Sequence, residues 1–459
     1  MIDGDYTMKK NYRTLITTVA FVAIILLAFF LGDIGDNARA FWRILSSPAI
    51  LLSDPQSINS GYGGNLNALV INTMSTVGLS LLVVKFSKTP FEGGVIASIF
   101  TIAGFTFIGK NTINVIPVYL GVMLFAKFNK TPLKDSMIAL LLASGMGPIF
   151  SYIMFGHGFY HLPLATRLPL AITAGIIAGF FIPMVAANAI KFHGGFNLYN
   201  VGFTMGLLAV ATHGIMRSFG VHVRPSAAQL DTYPNHTWFF MLVIALLSLG
   251  MIILAFIYDK DVIKKFKGLM NETGQLPSNF SQISGQPATM FNMGVLGLLC
   301  LVIMTPLMII WDVPFLSVPA AGIFTIIGFG AFGKHPVNVI PIMTGAVIGF
   351  VGIYLVDSPF ISLLPGNNPE GAYLSAVNVH GYIGAVFFST TLAPISKAFG
   401  WKAGVIAGFL HMMVLMIGGN FQGGFNLYNN GWMGGFVAAI TFPIFMNFKA
   451  RKKNSVTQV

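Results

Sequence analysis

The feature that most constrains this chain is a long internal repeat. The stretch FTIAGFTFIGKNTINVIPVYLG, Phe100–Gly121, returns as FTIIGFGAFGKHPVNVIPIMTG, Phe324–Gly345, at an offset of 224 residues without a gap. A second pair, FHGGFNLYNVG at Phe192–Gly202 and FQGGFNLYNNG at Phe421–Gly431, repeats at an offset of 229 residues. Two ordered pairs at nearly one offset indicate a duplicated chain, so we expect two halves of one design that pack against each other.

Composition places both halves in a membrane. Of the 459 residues, 55% are hydrophobic and only 9% are charged, whereas a soluble domain carries about 25% charged residues. The sequence therefore predicts an all-α integral membrane protein with about 14 transmembrane or re-entrant segments. These segments are approximately Thr14–Gly32, Asn65–Lys85, Phe91–Gly109, Asn114–Phe128, Ser136–Gly156, Leu168–Ile190, Phe196–Met216, Thr237–Ile257, Met290–Trp311, Phe315–Gly333, Asn338–Val356, Tyr373–Leu392, Lys402–Gly418 and Phe425–Phe448.

Loop charge predicts the orientation of these segments. With both termini in the cytoplasm, most of the 26 lysines and arginines fall on cytoplasmic loops, as the positive-inside rule expects. Corresponding segments lie seven apart, an odd number, so the halves should face opposite ways as a 7+7 inverted-topology repeat, a common design of secondary transporters. Because topology accounts for the net charge of +12, we expect no nucleic-acid partner.

The repeat also sets the predicted domain boundaries. Residues 1–257 form the first membrane repeat, and residues 237–448 form the second, which starts with its own first span. The polar residues 258–289 form a cytoplasmic joint, predicted as an interfacial helix followed by a loop, that continues into the second repeat. Residues 449–459 are a basic cytoplasmic tail.

The repeated G-K-x-x-x-N-V-I-P motif carries the first candidate site. Glycine and proline between two apolar runs predict a broken helix, and the predicted helix-break residues are Gly109, Pro117, Gly333 and Pro341. A buried cation beside helix N-termini attracts an anion or a polar solute. The candidate substrate-binding residues here are Lys110, Asn114, Lys334 and Asn338. The alternative is that each lysine reaches its own membrane interface and only marks a loop.

The repeated G-G-F-N-L-Y-N motif carries the second candidate site. Its paired glycines permit a tight turn, and they complete the predicted helix breaks at Gly194, Gly195, Gly423 and Gly424. Amide and hydroxyl groups follow them, and these candidate substrate-binding residues are Asn197, Tyr199, Asn200, Asn426, Tyr428 and Asn429. They could form a neutral hydrogen-bonding cradle, or they could hold helices together. His193 aligns with Gln422, so we predict no paired role for that position.

The two motifs together resemble those of a family of bacterial polytopic membrane proteins of unknown function, which carry this unit in two tandem copies. The resemblance covers most of the chain. It implies an integral protein of the bacterial inner membrane and implies no particular substrate.

These patterns predict a secondary carrier of a small polar or anionic solute, with its site between the two repeats near the bilayer midplane. One alternative is a passive channel for a small neutral solute, which the scarcity of carboxylates in the spans favours. Another is a membrane enzyme acting on a lipid-linked substrate. We expect no enzyme activity, no catalytic residues, no cofactor and no metal; the expected partners are the solute and the lipid bilayer, and the pattern favours no oligomeric state.

Overall fold

A computed structural model describes residues 30–49, 66–223, 237–311, 317–356 and 376–457, together with positions 24, 27 and 28. Throughout these ranges the chain forms helices joined by turns, with no strand. The described part is therefore all-helical, as predicted. The predicted first segment, Thr14–Gly32, lies almost entirely outside the described residues.

The first half contains eight helices in the described ranges. They are α1 (Ile34–Leu45), α2 (Leu66–Phe86), α3 (Gly93–Phe105), α4 (Thr112–Phe128), α5 (Met137–Ala143), α6 (Pro148–Phe155), α7 (Leu164–Ala189) and α8 (Asn200–Ser218). A short 3-10 turn, Ser144–Met146, joins α5 to α6. This break brings Ser144 to a buried position in the middle of an otherwise continuous rod.

The second half begins with α9 and ends with α18. Its helices are α9 (Thr237–Tyr258), α10 (Val262–Leu269), α11 (Phe280–Ile283), α12 (Gln286–Trp311), α13 (Ser317–Phe329), α14 (Pro336–Val356), α15 (Ala376–Phe388), α16 (Ala393–Phe399), α17 (Trp401–Phe421) and α18 (Asn429–Thr457). Helices α10 and α12 to α18 follow the order of α1 to α8, and the 3-10 break recurs as Ser389–Leu392 between α15 and α16. The sequence repeat is thus also a repeat of helices.

Seven described segments are long and apolar enough to cross a membrane. They are Leu66–Phe86, Leu133–Phe155, Leu164–Ala189, Thr237–Tyr258, Gln286–Ile310, Pro336–Ile353 and Asn429–Arg451. Their outer faces expose large apolar side chains such as Ile309 and Phe128, which suits contact with lipid. The chain is therefore an all-helical membrane protein by length and composition.

Close glycine contacts join the two halves, and they are reciprocal. Helices α3 and α13 touch where a Cβ on Gly104 would lie 2.9 Å from the Ala321 backbone. The matched glycine, Gly328, faces Ala97, whose carbonyl oxygen would lie 3.0 Å from its Cβ. Helices α8 and α18 meet in the same way, with Gly202 against Gly431. Small residues let backbones approach closely, which is how helices pack tightly within a membrane.

The predicted break at the two prolines is wrong, because Pro117 and Pro341 lie inside the continuous helices α4 and α14. A neighbouring helix accommodates each proline: a Cβ on Gly175 of α7 would lie 2.6 Å from the Pro117 Cβ, and one on Gly404 of α17 would lie 2.9 Å from the Pro341 Cβ. Proline rings are tolerated in membrane helices when neighbours adapt to them. The break lies instead just before each helix, at the glycine of the G-K pair.

Candidate functional site

The loop that holds each lysine is closed by the asparagine of the same motif. Gly109 has a φ of 111° and Gly333 a φ of 120°, a region that favours glycine, so helices α3 and α13 end there as predicted. The Asn114 amide donates to the Gly109 carbonyl at 3.0 Å, and Asn338 repeats this bond to Gly333 at 2.9 Å. These bonds hold Lys110 and the matched lysine in place.

A second asparagine in each half supports the loop from behind. The Asn72 amide of α2 donates to the carbonyls of Thr106 at 3.1 Å and Lys110 at 2.9 Å. Asn292 of α12 donates at 2.7 Å to both Gly330 and Lys334. The sequence analysis missed this pair. A single asparagine at matching depth in two apolar spans was its only signal, and the offset there is 220 residues rather than 224.

Each lysine side chain reaches across to the other half of the protein. The Lys110 ammonium donates to the hydroxyls of Ser144 and Tyr428. The Lys334 ammonium donates to the Tyr199 hydroxyl and, at 2.7 Å, to that of Thr390. Ser144 and Thr390 belong to the lysine's own half, but each tyrosine comes from the opposite half. The structure therefore brings the lysine of one motif to the tyrosine of the other, twice and reciprocally.

Aromatic rings surround both ammonium groups. The Lys110 Nζ lies 4.7 Å from the ring centre of Tyr428 and 5.8 Å from that of Phe105. The Lys334 Nζ lies 4.3 Å from the ring centre of Tyr199 and 5.1 Å from that of Phe329. Ring faces attract a cation, so the cages stabilise the charged form of lysine without neutralising it.

Neither lysine has a carboxylate partner within the described ranges. Both side chains are completely buried, and the ion pairs in these ranges are Arg39–Asp36 and Lys265–Asp259, at exposed positions. Buried charges in proteins are usually paired or bound to a counter-ion. Two buried and uncompensated cations therefore distinguish this site. In the same ranges, no cluster of three histidine, cysteine or acidic residues could hold a metal ion.

A small cavity of about 20 Å³ lies where the halves meet, with room for a particle of about the size of water. Five repeat-matched pairs and Asn430 line it: Thr101 and Thr325, Phe105 and Phe329, Leu142 and Phe388, Tyr199 and Tyr428, and Gly202 and Gly431. Its walls are mainly aromatic rings and glycine backbone. The two tyrosines that bind the lysines thus also border the shared space between the halves.

The G-G-F-N-L-Y-N segments position these tyrosines. The Asn197 amide donates to the Gly431 carbonyl of the other half at 3.0 Å, and the Asn426 amide donates to the Gly202 carbonyl at 3.1 Å. Each asparagine oxygen also accepts from the backbone N–H of the tyrosine two residues later. In addition, backbone N–H groups of the segments bond to the 3-10 breaks of the opposite half. These asparagines join the halves, and their predicted contact with a solute stays a prediction.

The expectation that His193 and Gln422 share no role is wrong. The His193 Nε2 lies 2.9 Å from the Asn200 Oδ1, and the Gln422 Nε2 lies 2.6 Å from the Asn429 Oδ1. The Asn200 and Asn429 amides then donate to carbonyls of the preceding helices α7 and α17. Histidine and glutamine both offer a ring or amide nitrogen at this reach, so either can fix the turn made by Gly194–Gly195 and Gly423–Gly424.

A short cover lies over each lysine loop. In the first half, the Ala49 carbonyl lies against Gly109, and the Asn111 amide donates to the Ile44 carbonyl at 3.1 Å. In the second half, Gly274 lies against Gly333, and a ring nitrogen of His335, the repeat partner of Asn111, lies 2.9 Å from the Glu272 carbonyl. Each cover follows a short helix, α1 or α10, at the start of its own half. The covers separate the lysines from the two ends of the helix bundle.

Fold and site together define an all-helical membrane protein built from two copies of one unit, with a caged lysine in each. The chain belongs to the family described as protein of unknown function (DUF1576), whose matches cover residues 35–218, 258–358 and 371–447. The family predicted from the two motifs is thereby confirmed. No curated protein and no solved structure matches the chain.

Proposed function

We propose that the protein is a secondary carrier of a small polar solute, bound between the two halves near the middle of the membrane. The observation that carries this proposal is the reciprocal pairing of Lys110 with Tyr428 and of Lys334 with Tyr199. Buried ionisable groups inside a membrane are costly and mark solute or ion pathways. Here they flank one shared cavity at the contact of two repeated units, which is where repeat-built transporters bind their solutes.

We further propose that the halves form a 7+7 inverted repeat of about 14 segments. Contacts between remote segments support this topology, because they join regions that loop charge assigns to one side. Glu92, beside Lys85 and Lys88, accepts from Gln282 of the joint at 2.9 Å. Lys449 of α18 donates to the Ala398 carbonyl at 3.0 Å, and both lie on predicted cytoplasmic segments.

A contact on the predicted outer side supports the same orientation. A ring nitrogen of His213, near the end of α8, lies 3.0 Å from the Phe421 carbonyl at the end of α17. With both termini in the cytoplasm, the cover over Lys110 lies outside and the cover over Lys334 lies inside. Each lysine would then be reached from a different side of a bacterial inner membrane, as alternating access requires.

Transport in proteoliposomes tests the proposal. A thermal-shift screen of purified protein against small polar metabolites and inorganic ions selects a ligand, since a ligand at ~100 times its Kd stabilises by about 2.7 kcal/mol. Counterflow of that ligand should then show trans-acceleration in the parent protein. Lys110→Met and Lys334→Met should each abolish counterflow while melting at or slightly above the parent, because an uncompensated buried charge has been removed.

The matched control is Lys191→Met, which removes an exposed lysine that bonds only to the amide oxygen of Asn188. It should transport like the parent. Uptake without trans-acceleration would indicate a passive channel instead of a carrier. Normal counterflow in both buried-lysine variants would contradict the proposed site.

A further inference from the structure

The contacts of the two lysines leave an unusual chemical situation. An ammonium group has three N–H donors, and in the described part of the chain each lysine uses them on two neutral hydroxyls. The hydroxyl of the lysine's own half, Ser144 or Thr390, also donates to a carbonyl one turn earlier. It therefore stays in place whether or not the halves move. The contact that can be exchanged is the tyrosine from the opposite half.

The charge of each lysine remains available to a ligand. Ring faces at 4.3 to 5.8 Å favour the ammonium form but supply no negative charge. In a low-dielectric interior, an uncompensated cation attracts an anion far more strongly than it attracts a neutral hydroxyl. A phenol oxygen next to such a cation occupies the position that an anion oxygen or a halide would take.

We propose that Lys110 and Lys334 are two equivalent binding sites for a small monovalent anion, and that the tyrosine hydroxyl of the opposite half fills each site when it is empty. The inference rests on the proposed function, for which it names the solute class. The anion is small because the sites are fully buried and the adjoining cavity holds only about 20 Å³. It is monovalent because each site provides a single positive charge.

Competition between anion and tyrosine links binding to the contact between the halves. An anion at Lys110 replaces a bond to Tyr428 and so removes one cross-half contact beside one cover. The pair formed by Lys334 and Tyr199 remains intact beside the other cover. The ring of Tyr428 stays packed against Phe105, with centroids 4.4 Å apart, so only the hydroxyl contact is exchanged. Binding at one lysine therefore loosens one end of the interface and leaves the other closed.

Tyrosine-to-phenylalanine variants test this competition, because they keep the ring and remove the hydroxyl. The probe is sodium nitrate, titrated against purified protein in detergent, with sodium gluconate at equal concentration as the control for ionic strength. Binding is measured from the nitrate-dependent rise in melting temperature. Tyr428→Phe and Tyr199→Phe should each bind nitrate about tenfold more tightly than the parent, since a competing hydrogen bond to a charged group is gone.

Two control variants complete the experiment. Tyr152→Phe removes the hydroxyl of another buried tyrosine, which packs across the halves on Phe425 at 5.5 Å and contacts neither lysine. Its nitrate affinity should equal that of the parent. The double variant Lys110→Met with Lys334→Met should lose the nitrate effect completely.

Weaker nitrate binding in both phenylalanine variants would overturn the inference, because the hydroxyls would then belong to the ligand site. Equal stabilisation of the parent and the double lysine variant would overturn it as well. The test is separable from the carrier proposal. If nitrate binds as expected but shows no counterflow in proteoliposomes, the anion sites stand and the carrier falls. If another solute shows counterflow while nitrate neither binds nor competes, the carrier stands and the anion sites fall.

Discussion

The sites of Lys110 and Lys334 share their inner bonds and differ in their covers. In both, a lysine donates to a hydroxyl of its own half and to a tyrosine of the other half, while two asparagines hold the loop. Over Lys110 the capping side chain is Asn111, which also caps helix α4. Over Lys334 it is His335, whose ring stacks on Phe280 of α11.

The shared cavity shows the same division at one position. Ten of its lining residues are matched between the halves, but Asn430 has Val201 as its repeat partner. Asn430 also meets the buried His411 at 3.0 Å, where the first half has Ile182. The lysine–tyrosine chemistry is thus common to both halves, whereas the surroundings are particular to each. The difference teaches that the paired cations are the shared requirement and that the covers suit two different sides.

The largest effect that could test this equivalence is steric. Gly104→Ala and Gly328→Ala place a methyl group against the facing helix backbone, and each should destabilise the protein by about 2–3 kcal/mol. Unfolding of the purified protein by sodium dodecyl sulfate measures the change. Gly250→Ala and Gly352→Ala are the controls, because nothing lies within 4 Å of their added Cβ. A large cost in one half only would break the equivalence of the two contacts.

A smaller and equal effect is expected from the asparagines behind the loops. Asn72→Ala and Asn292→Ala each leave two buried carbonyls without a donor, so each should cost about 1–3 kcal/mol. The same unfolding assay applies. Asn188→Ala, at an exposed site of α7, should change stability by less than about 0.5 kcal/mol. Unequal costs at the two buried asparagines would show that the loops are held differently.

The smallest effects concern the covers, where the halves differ. His335→Asn should change stability by less than about 1 kcal/mol, because an asparagine can bond to a cover carbonyl as Asn111 does. The reverse exchange, Asn111→His, removes the capping box of α4 and should cost about 1–2 kcal/mol. Thermal melting of both variants measures the contrast. Equal costs in the two directions would mean that the covers are interchangeable.

The repeat predicted much of this arrangement, since it identified both lysines, both tyrosines and the glycines at which the chain turns. It could not predict that Lys110 meets Tyr428 instead of the tyrosine of its own half, because that choice depends on how the halves pack. Ser144 and Thr390 escaped notice because their offset is 246 residues, after different loop lengths in the two halves. Pro117 and Pro341 were misjudged because a glycine on the neighbouring helix accommodates each ring.

The reciprocal exchange of tyrosines has a consequence for how such a chain could arise. One unit carries its own lysine, loop asparagines, supporting hydroxyl and cover, but the tyrosine that completes its lysine belongs to the other unit. A half-length ancestor would therefore have had both parts of the pair and been unable to join them within one molecule. Two copies, assembled face to face, would have completed each other, and fusion of the genes would then have fixed their ratio and left each copy free to adapt to its own side.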